Sequence, residues 1–177
     1  MVLYLFVEAL WFILPAYAAN GLATLPKGSH PIDRGKTFRD RPLFGPGKTW
    51  EGLIFGCIVA AFVGFVQMAA MPNLPFGISP VPLMIVDMTP LLGLLLGLGA
   101  MAGDIAGSFA KRRLGIPKGN AAPILDQTDF LFGAFLFAVF LVPLKWQWFL
   151  LLFVITPVLH LIANIIAYVL GIKNRWY

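Results

Sequence analysis

Charge is what this sequence has least of. Only 12% of its 177 residues are Asp, Glu, Lys or Arg, against 59% hydrophobic, whereas a soluble domain carries about 25% charged residues. That deficit excludes a water-soluble globular domain and points to an integral membrane protein. Cysteine is nearly absent too. Cys57, the one cysteine, sits in an apolar run and reads as a small apolar filler. An intrachain disulfide and a cysteine-based zinc site are both excluded. The two histidines, His30 and His160, stand in no pattern that suggests Ser/His/Asp catalysis. No internal repeat or low-complexity segment occurs, so a single domain over residues 1–177 is expected.

The long apolar runs are present in number. A spanning helix needs roughly 20 mostly apolar residues, and five candidates lie at about 2–25, 50–71, 87–110, 128–144 and 147–171. The fold class expected is all-α, a polytopic membrane protein of about five transmembrane helices. The first seven residues carry no positive charge, unlike the start of a signal peptide, so the first run reads as a retained span. With five spans, twelve of the 13 Lys and Arg fall on one side, and Lys145 alone falls on the other. Basic loops stay in the cytoplasm. This predicts a multi-pass cell-membrane protein with its N-terminus outside and two basic cytoplasmic loops. Trp50, Trp146, Trp148, Trp176 and Tyr177 fall near the expected interfaces, where aromatic residues anchor.

Segment 45–49 reads GPGKT. It shares parts with a P-loop but lacks that motif's first glycine, because Pro42 stands there. Residues 33–44 hold six charges, so no buried strand precedes it. The second helix is expected to start near Lys48–Trp50. Its free N–H groups, with Lys48 and Thr49, would suit a phosphate. The other reading is a Gly-Pro turn before a membrane helix with a snorkelling lysine.

Six of the basic residues lie between Lys27 and Lys48, and four between Lys111 and Lys118. Anionic lipid headgroups would satisfy such charge. They would not call for the acids interleaved with it: Asp33, Asp40, Glu51, Asp104, Asp126 and Asp129. A polyphosphate with a divalent metal needs both signs, since carboxylates take one or two metal positions and phosphates the rest. If helix 3 continues to Arg113, Asp104, Ser108 and Lys111 share a face. An intramembrane acid is costly and reads as functional by default. Asp126 facing Asp104 is the expected metal pair. Asp126 and Asp129 also fit an N-terminal cap of helix 4. Nucleic-acid binding is excluded, because the cations are pinned at the membrane beside acids. Glu8 and Asp87 are expected to face water or another helix. His160 and Asn164, at i and i+4, read as an interhelical hydrogen bond.

Ser108-x-x-Lys111-Arg112, then Gly115, Lys118, Pro123, Asp126 and Asp129, with Asp104 preceding, resembles the signature of the CDP-diacylglycerol synthases. That family's glycine–histidine run is replaced here by Ala122-Pro123-Ile124-Leu125, and Gln127 stands where Arg is usual. The short chain, PID-x-G at 31–35 and FGPGKTWEG at 44–52 look instead like the archaeal relatives, the CDP-archaeol synthases. The resemblance implies Mg²⁺-dependent transfer of a cytidylyl group from CTP to a membrane lipid phosphate with two isoprenoid ether chains. Asp104, Asp126 and Lys111 would be the catalytic residues, the two acids holding the metal. Lys36, Lys48, Thr49 and Ser108 would contact the nucleotide, as would Lys111, Arg112, Lys118 and Asp129. Two other classes compete: a transporter or channel for phosphorylated anions, and a non-catalytic scaffold binding anionic lipid.

Overall fold

The computed structural model describes residues 2–117, 120, 122–169 and 171, without the side chains of residues 78, 123, 160, 163, 164 and 167. Lys118, Trp176 and Tyr177 lie outside the described residues, as do the side chains of His160 and Asn164.

Five α-helices dominate: α1 (Val2–Leu22), α2 (Trp50–Ala70), α3 (Pro90–Arg113), α4 (Pro123–Ala138) and α5 (Trp146–Val169). Among the described residues, α1, α3 and Trp50–Asn73 are long and apolar enough to cross a membrane. Their starts follow local chemistry. Thr49 caps α2, its hydroxyl oxygen accepting from the Gly52 N–H at 3.2 Å, and Thr89 caps α3 the same way through Leu92. Pro90 takes the first turn of α3, where a missing N–H costs nothing. The fourth helix differs from expectation. It begins at Pro123 and ends at Ala138, some five residues earlier than the apolar run suggests, because Pro123 opens a helix well before the hydrophobic stretch. Asp87 lies ahead of α3 and is exposed.

α3 is the central helix, packed on α1, α2 and α4. Its contact with α4 is backbone on backbone: a Cβ on Gly133 would collide with the Gly99 carbonyl oxygen. The main core gathers Phe12, Ile13, Leu96, Phe130, Leu131, Trp148 and Leu152 from α1, α3, α4 and α5. Trp148 is fully buried and stacks on Phe12 with ring centroids 5.5 Å apart. That corrects its expected role as an interface anchor. Trp50 and Trp146 are exposed at helix starts, as an anchor requires.

Glu8 is also buried (3% exposed). It accepts from the Met84 N–H at 2.7 Å, the Lys145 ammonium at 2.7 Å and the Trp148 indole N–H at 2.9 Å. Lys145, the one cation expected on the outer side, is therefore neutralised within the fold.

The first basic loop is not structureless. Thr37–Phe38 (β1) pairs antiparallel with Arg41–Pro42 (β2), a small hairpin that the all-α expectation lacks. Arg39 and Asp40 turn it with φ of 52° and 59°.

Candidate active site

Three elements bring charge together at the end of the bundle where α2 begins and α3 ends. Lys48, just ahead of α2, pairs with Asp104 of α3. Lys111 of α3 pairs with Asp126 of α4. All four side chains keep between 15% and 28% of their surface open, enough to meet a ligand. Asp129 lies within electrostatic range of Asp104, Asp126 and Lys48. So Lys48, Asp104, Lys111, Asp126 and Asp129 form one cluster, drawn from segments up to 81 residues apart in sequence.

The acids do not play the same part. Asp126 Oδ2 accepts from the Ala122 N–H at 2.9 Å, tying down the start of α4 while Oδ1 holds Lys111. Asp129 sits a turn further along, and it is Ala122 that stands at the cap position. Capping by Asp129 is therefore corrected. Its carboxylate is pressed against Gly107, where any Cβ would collide with Oδ2. Oδ1 accepts from the Phe130 N–H, and buried Oδ2 has no partner among the described residues. An orphaned buried carboxylate oxygen is costly, and a small residue at 107 is what lets it fit.

Asp33 turns out to be architectural. It is buried, with Oδ1 accepting from Gly35 N–H at 3.0 Å and Oδ2 from Phe44 N–H at 3.1 Å and Gly45 N–H at 2.8 Å. Burial opposes its charge, but those three N–H groups outweigh burial and hold the carboxyl below the usual range. The fixed turn is the one that delivers Lys48. Segment 30–32 then runs antiparallel to 48–50, with Trp50 N–H on the His30 carbonyl at 3.0 Å and Ile32 N–H on the Lys48 carbonyl at 2.8 Å.

Two arginines clip this loop to α3. Arg113 donates to the carbonyls of Phe38, Arg41 (3.2 Å) and Pro42 (2.7 Å), with its guanidinium 5.3 Å from the Phe38 ring centre. Arg41 donates in return to the last carbonyls of α3, Arg112 at 3.2 Å and Arg113 at 3.1 Å, groups a helix end leaves unpaired. Neither arginine stood out in the sequence, because a cation in a basic loop looks like any other. The visible signal would have been a short hairpin between the two charge clusters.

The remaining candidates divide. Arg112 is 9% exposed and donates to the Ile116 carbonyl, leaving Nε unpartnered among the described residues. Ser108 is buried at 3% on α3. Thr49 uses its oxygen as the α2 cap, and Lys36 is exposed beside the hairpin. Lys118 lies outside the described residues. No three His, Cys, Asp or Glu side chains are grouped tightly enough to enclose a metal by themselves among the described residues. Asp104 and Asp126 carry hard oxygen donors of the type a small divalent cation takes when phosphates complete its shell.

Comparison with known proteins identifies the family. The family model described as CarS-like, CDP-archaeol synthase, matches residues 2–177. A CDP-archaeol synthase of Methanocaldococcus jannaschii is 41% identical over 174 residues, 98% of each chain. That of Pyrococcus abyssi is 43% identical over 168 residues, covering 94% of this chain and 95% of its own. A solved structure described as "Structural insight into an intramembrane enzyme for archaeal membrane lipids biosynthesis" superposes with a TM-score of 0.76 at 37% identity, over 90% of this chain and 94% of that one. The chain belongs to the CarS-like CDP-archaeol synthase family and is a membrane-embedded nucleotidyltransferase.

Proposed function

We propose that the protein transfers a cytidylyl group from CTP to an ether-lipid phosphate, unsaturated archaetidic acid, in archaeal membrane-lipid synthesis. CDP-archaeol forms and pyrophosphate leaves. The observation that carries this reading is the paired cluster Lys48–Asp104 and Lys111–Asp126 at one end of the bundle. It holds both signs of charge in reach of solvent, as a metal–triphosphate requires.

A phosphate-monoester oxygen of the lipid attacks the α-phosphorus of CTP, and the bond to the β-phosphate oxygen breaks. The nucleophile is already anionic, so no general base is needed, which suits a site without histidine. Catalysis of this kind rests on positioning and charge neutralisation. Lys48 and Lys111 compensate the carboxylates in the free protein. When nucleotide enters, both ammonium groups turn from acid to phosphate. Asp104 and Asp126, thus released, would hold Mg²⁺, which when bound neutralises charge on the transferring phosphoryl group. Asp129 stays fixed behind them, its carboxyl group packed against Gly107. The cytoplasmic location of this end is supported by the distribution of Lys and Arg in the sequence, since Lys145, the exception, is paired with Glu8.

The test is pyrophosphate release by purified protein given archaeal lipid phosphate and each of four nucleoside triphosphates. CTP alone should support turnover, and only with Mg²⁺ present. Equal release with all four, or none with CTP, contradicts the reading.

A further inference from the structure

One cavity has a lining that includes none of the five residues of the acid cluster. It measures ≈ 870 Å³ and is lined by Arg34, Trp50, Glu51 and Ile54 together with segment 29–31. Helix periodicity locates it. Gly56, Cys57, Ala60 and Gly64 of α2 are buried, and they meet Met101, Gly97 and Gly93 of α3. Glu51, Ile54, Ile58 and Phe62 recur at three- and four-residue steps on the opposite face. Ile54, Ile58 and Phe62 are 53–63% exposed, as side chains facing lipid are. The cavity therefore tops a lipid-facing stripe, on the far side of α2 from Asp104.

Its lining carries both signs, one acid and one arginine, but the two differ in how they are partnered. Glu51 is internally satisfied: the N–H groups of Ser29 and His30 donate to it, as does the Ser29 hydroxyl, and His30 Nδ1 lies 2.5 Å away. No acid pairs with Arg34 among the described residues. A cation and an exposed tryptophan at the head of an exposed apolar stripe match an amphiphile with an anionic head.

We propose that this cavity is a docking site for the headgroup of an anionic bilayer lipid, distinct from the reacting lipid. The phosphate meets Arg34, Trp50 lies at headgroup level, and the chains run down Ile54, Ile58 and Phe62. Segment 30–32 forms its wall and is zipped to 48–50. The docked lipid thereby braces the segment that carries Lys48.

The experiment needs no nucleotide, so its failure is separable from failure of the cytidylyl reading. Full-length protein is placed in nanodiscs containing chain-brominated phosphatidylglycerol or phosphatidylcholine. Tryptophan quenching is compared with that of Trp50→Phe to isolate Trp50. Phosphatidylglycerol should quench Trp50 preferentially. Arg34→Gln should cut that preference about fivefold, the worth of one surface cation. Arg34→Lys should keep it, and so should Arg39→Gln, an equal charge loss at the hairpin tip. Each variant is first checked for an unchanged melting temperature, and Arg34→Met carries the test if Arg34→Gln does not fold. Equal quenching by both lipids, an unaltered preference in Arg34→Gln, or an equal loss in Arg39→Gln overturns the site. Displacement by millimolar inorganic phosphate would make it a free-phosphate site and overturn the lipid assignment.

Discussion

Replacing Arg113 by lysine keeps the charge and removes the fork. Arg113 reaches three carbonyls of the hairpin, those of Phe38, Arg41 and Pro42, from the last residue of α3. An ammonium is a single point donor on a flexible stem and cannot span three acceptors. Each lost contact has a charged donor, but all three lie toward solvent, so about 1 kcal/mol apiece is appropriate. Losing two of the three frees the hairpin by ~2 kcal/mol. Local opening should rise roughly 30-fold, since every 1.4 kcal/mol is a factor of ten. Hydrogen exchange of the 36–45 peptide in micelles reads this directly, because the Leu43 N–H bonds the Lys36 carbonyl across the hairpin at 3.0 Å. The global melting point should barely move, because the hairpin buries little of the core. Unchanged exchange in Arg113→Lys would refute the clip and return Arg113 to the pool of surface cations.

Lys48→Ala should raise the apparent KM for CTP by the equivalent of roughly 1.5–3 kcal/mol, one charge-assisted contact. An unchanged KM would leave Lys48 as a snorkelling residue. Glu8→Gln should destabilise the bundle by about 2–4 kcal/mol in thermal unfolding, the lower part because Lys145 can rehydrate. Adding Lys145→Met should recover most of that loss, and failure to recover would mean that the pair is not the cause. In a Cys57→Ser background, a cysteine at Asn73 should react with an impermeant reagent from outside and one at Ser29 only from inside. The reverse pattern would invert the proposed orientation.

The helices were legible because their signals are local. Thr49 and Thr89 stand where caps belong, and Arg113 is the last residue of α3, as the shared face of Asp104, Ser108 and Lys111 requires. Helix 4 was misjudged by hydrophobicity alone, since Pro123 begins it through a polar stretch. The acid and lysine residues of the site were identifiable by type, but their pairing was not. Lys48 reaches Asp104 across 56 residues, a tertiary fact with no local signature. Asp33 and the two clip arginines were hidden for a related reason. Their partners are backbone groups, which every sequence has everywhere. Trp148 misled because tryptophan near a helix start fits an interface equally well. The buried Glu8 carboxylate and the Phe12 ring are what turn it inward.

Asp104 and Asp126 could belong to two separate ion pairs or to one metal-holding unit, and double substitution tells these apart. Asn keeps size and shape at each position while removing the charge that attracts Mg²⁺. Pyrophosphate release is measured against Mg²⁺ concentration for Asp104→Asn, Asp126→Asn and the double variant, each shown to be folded by its melting temperature. Groups acting as a unit are strongly non-additive. Each single variant should lose nearly all turnover, and the double should be little worse than either. Near-normal turnover in folded Asp104→Asn, or losses that multiply in the double variant, would contradict a shared site between these two helices.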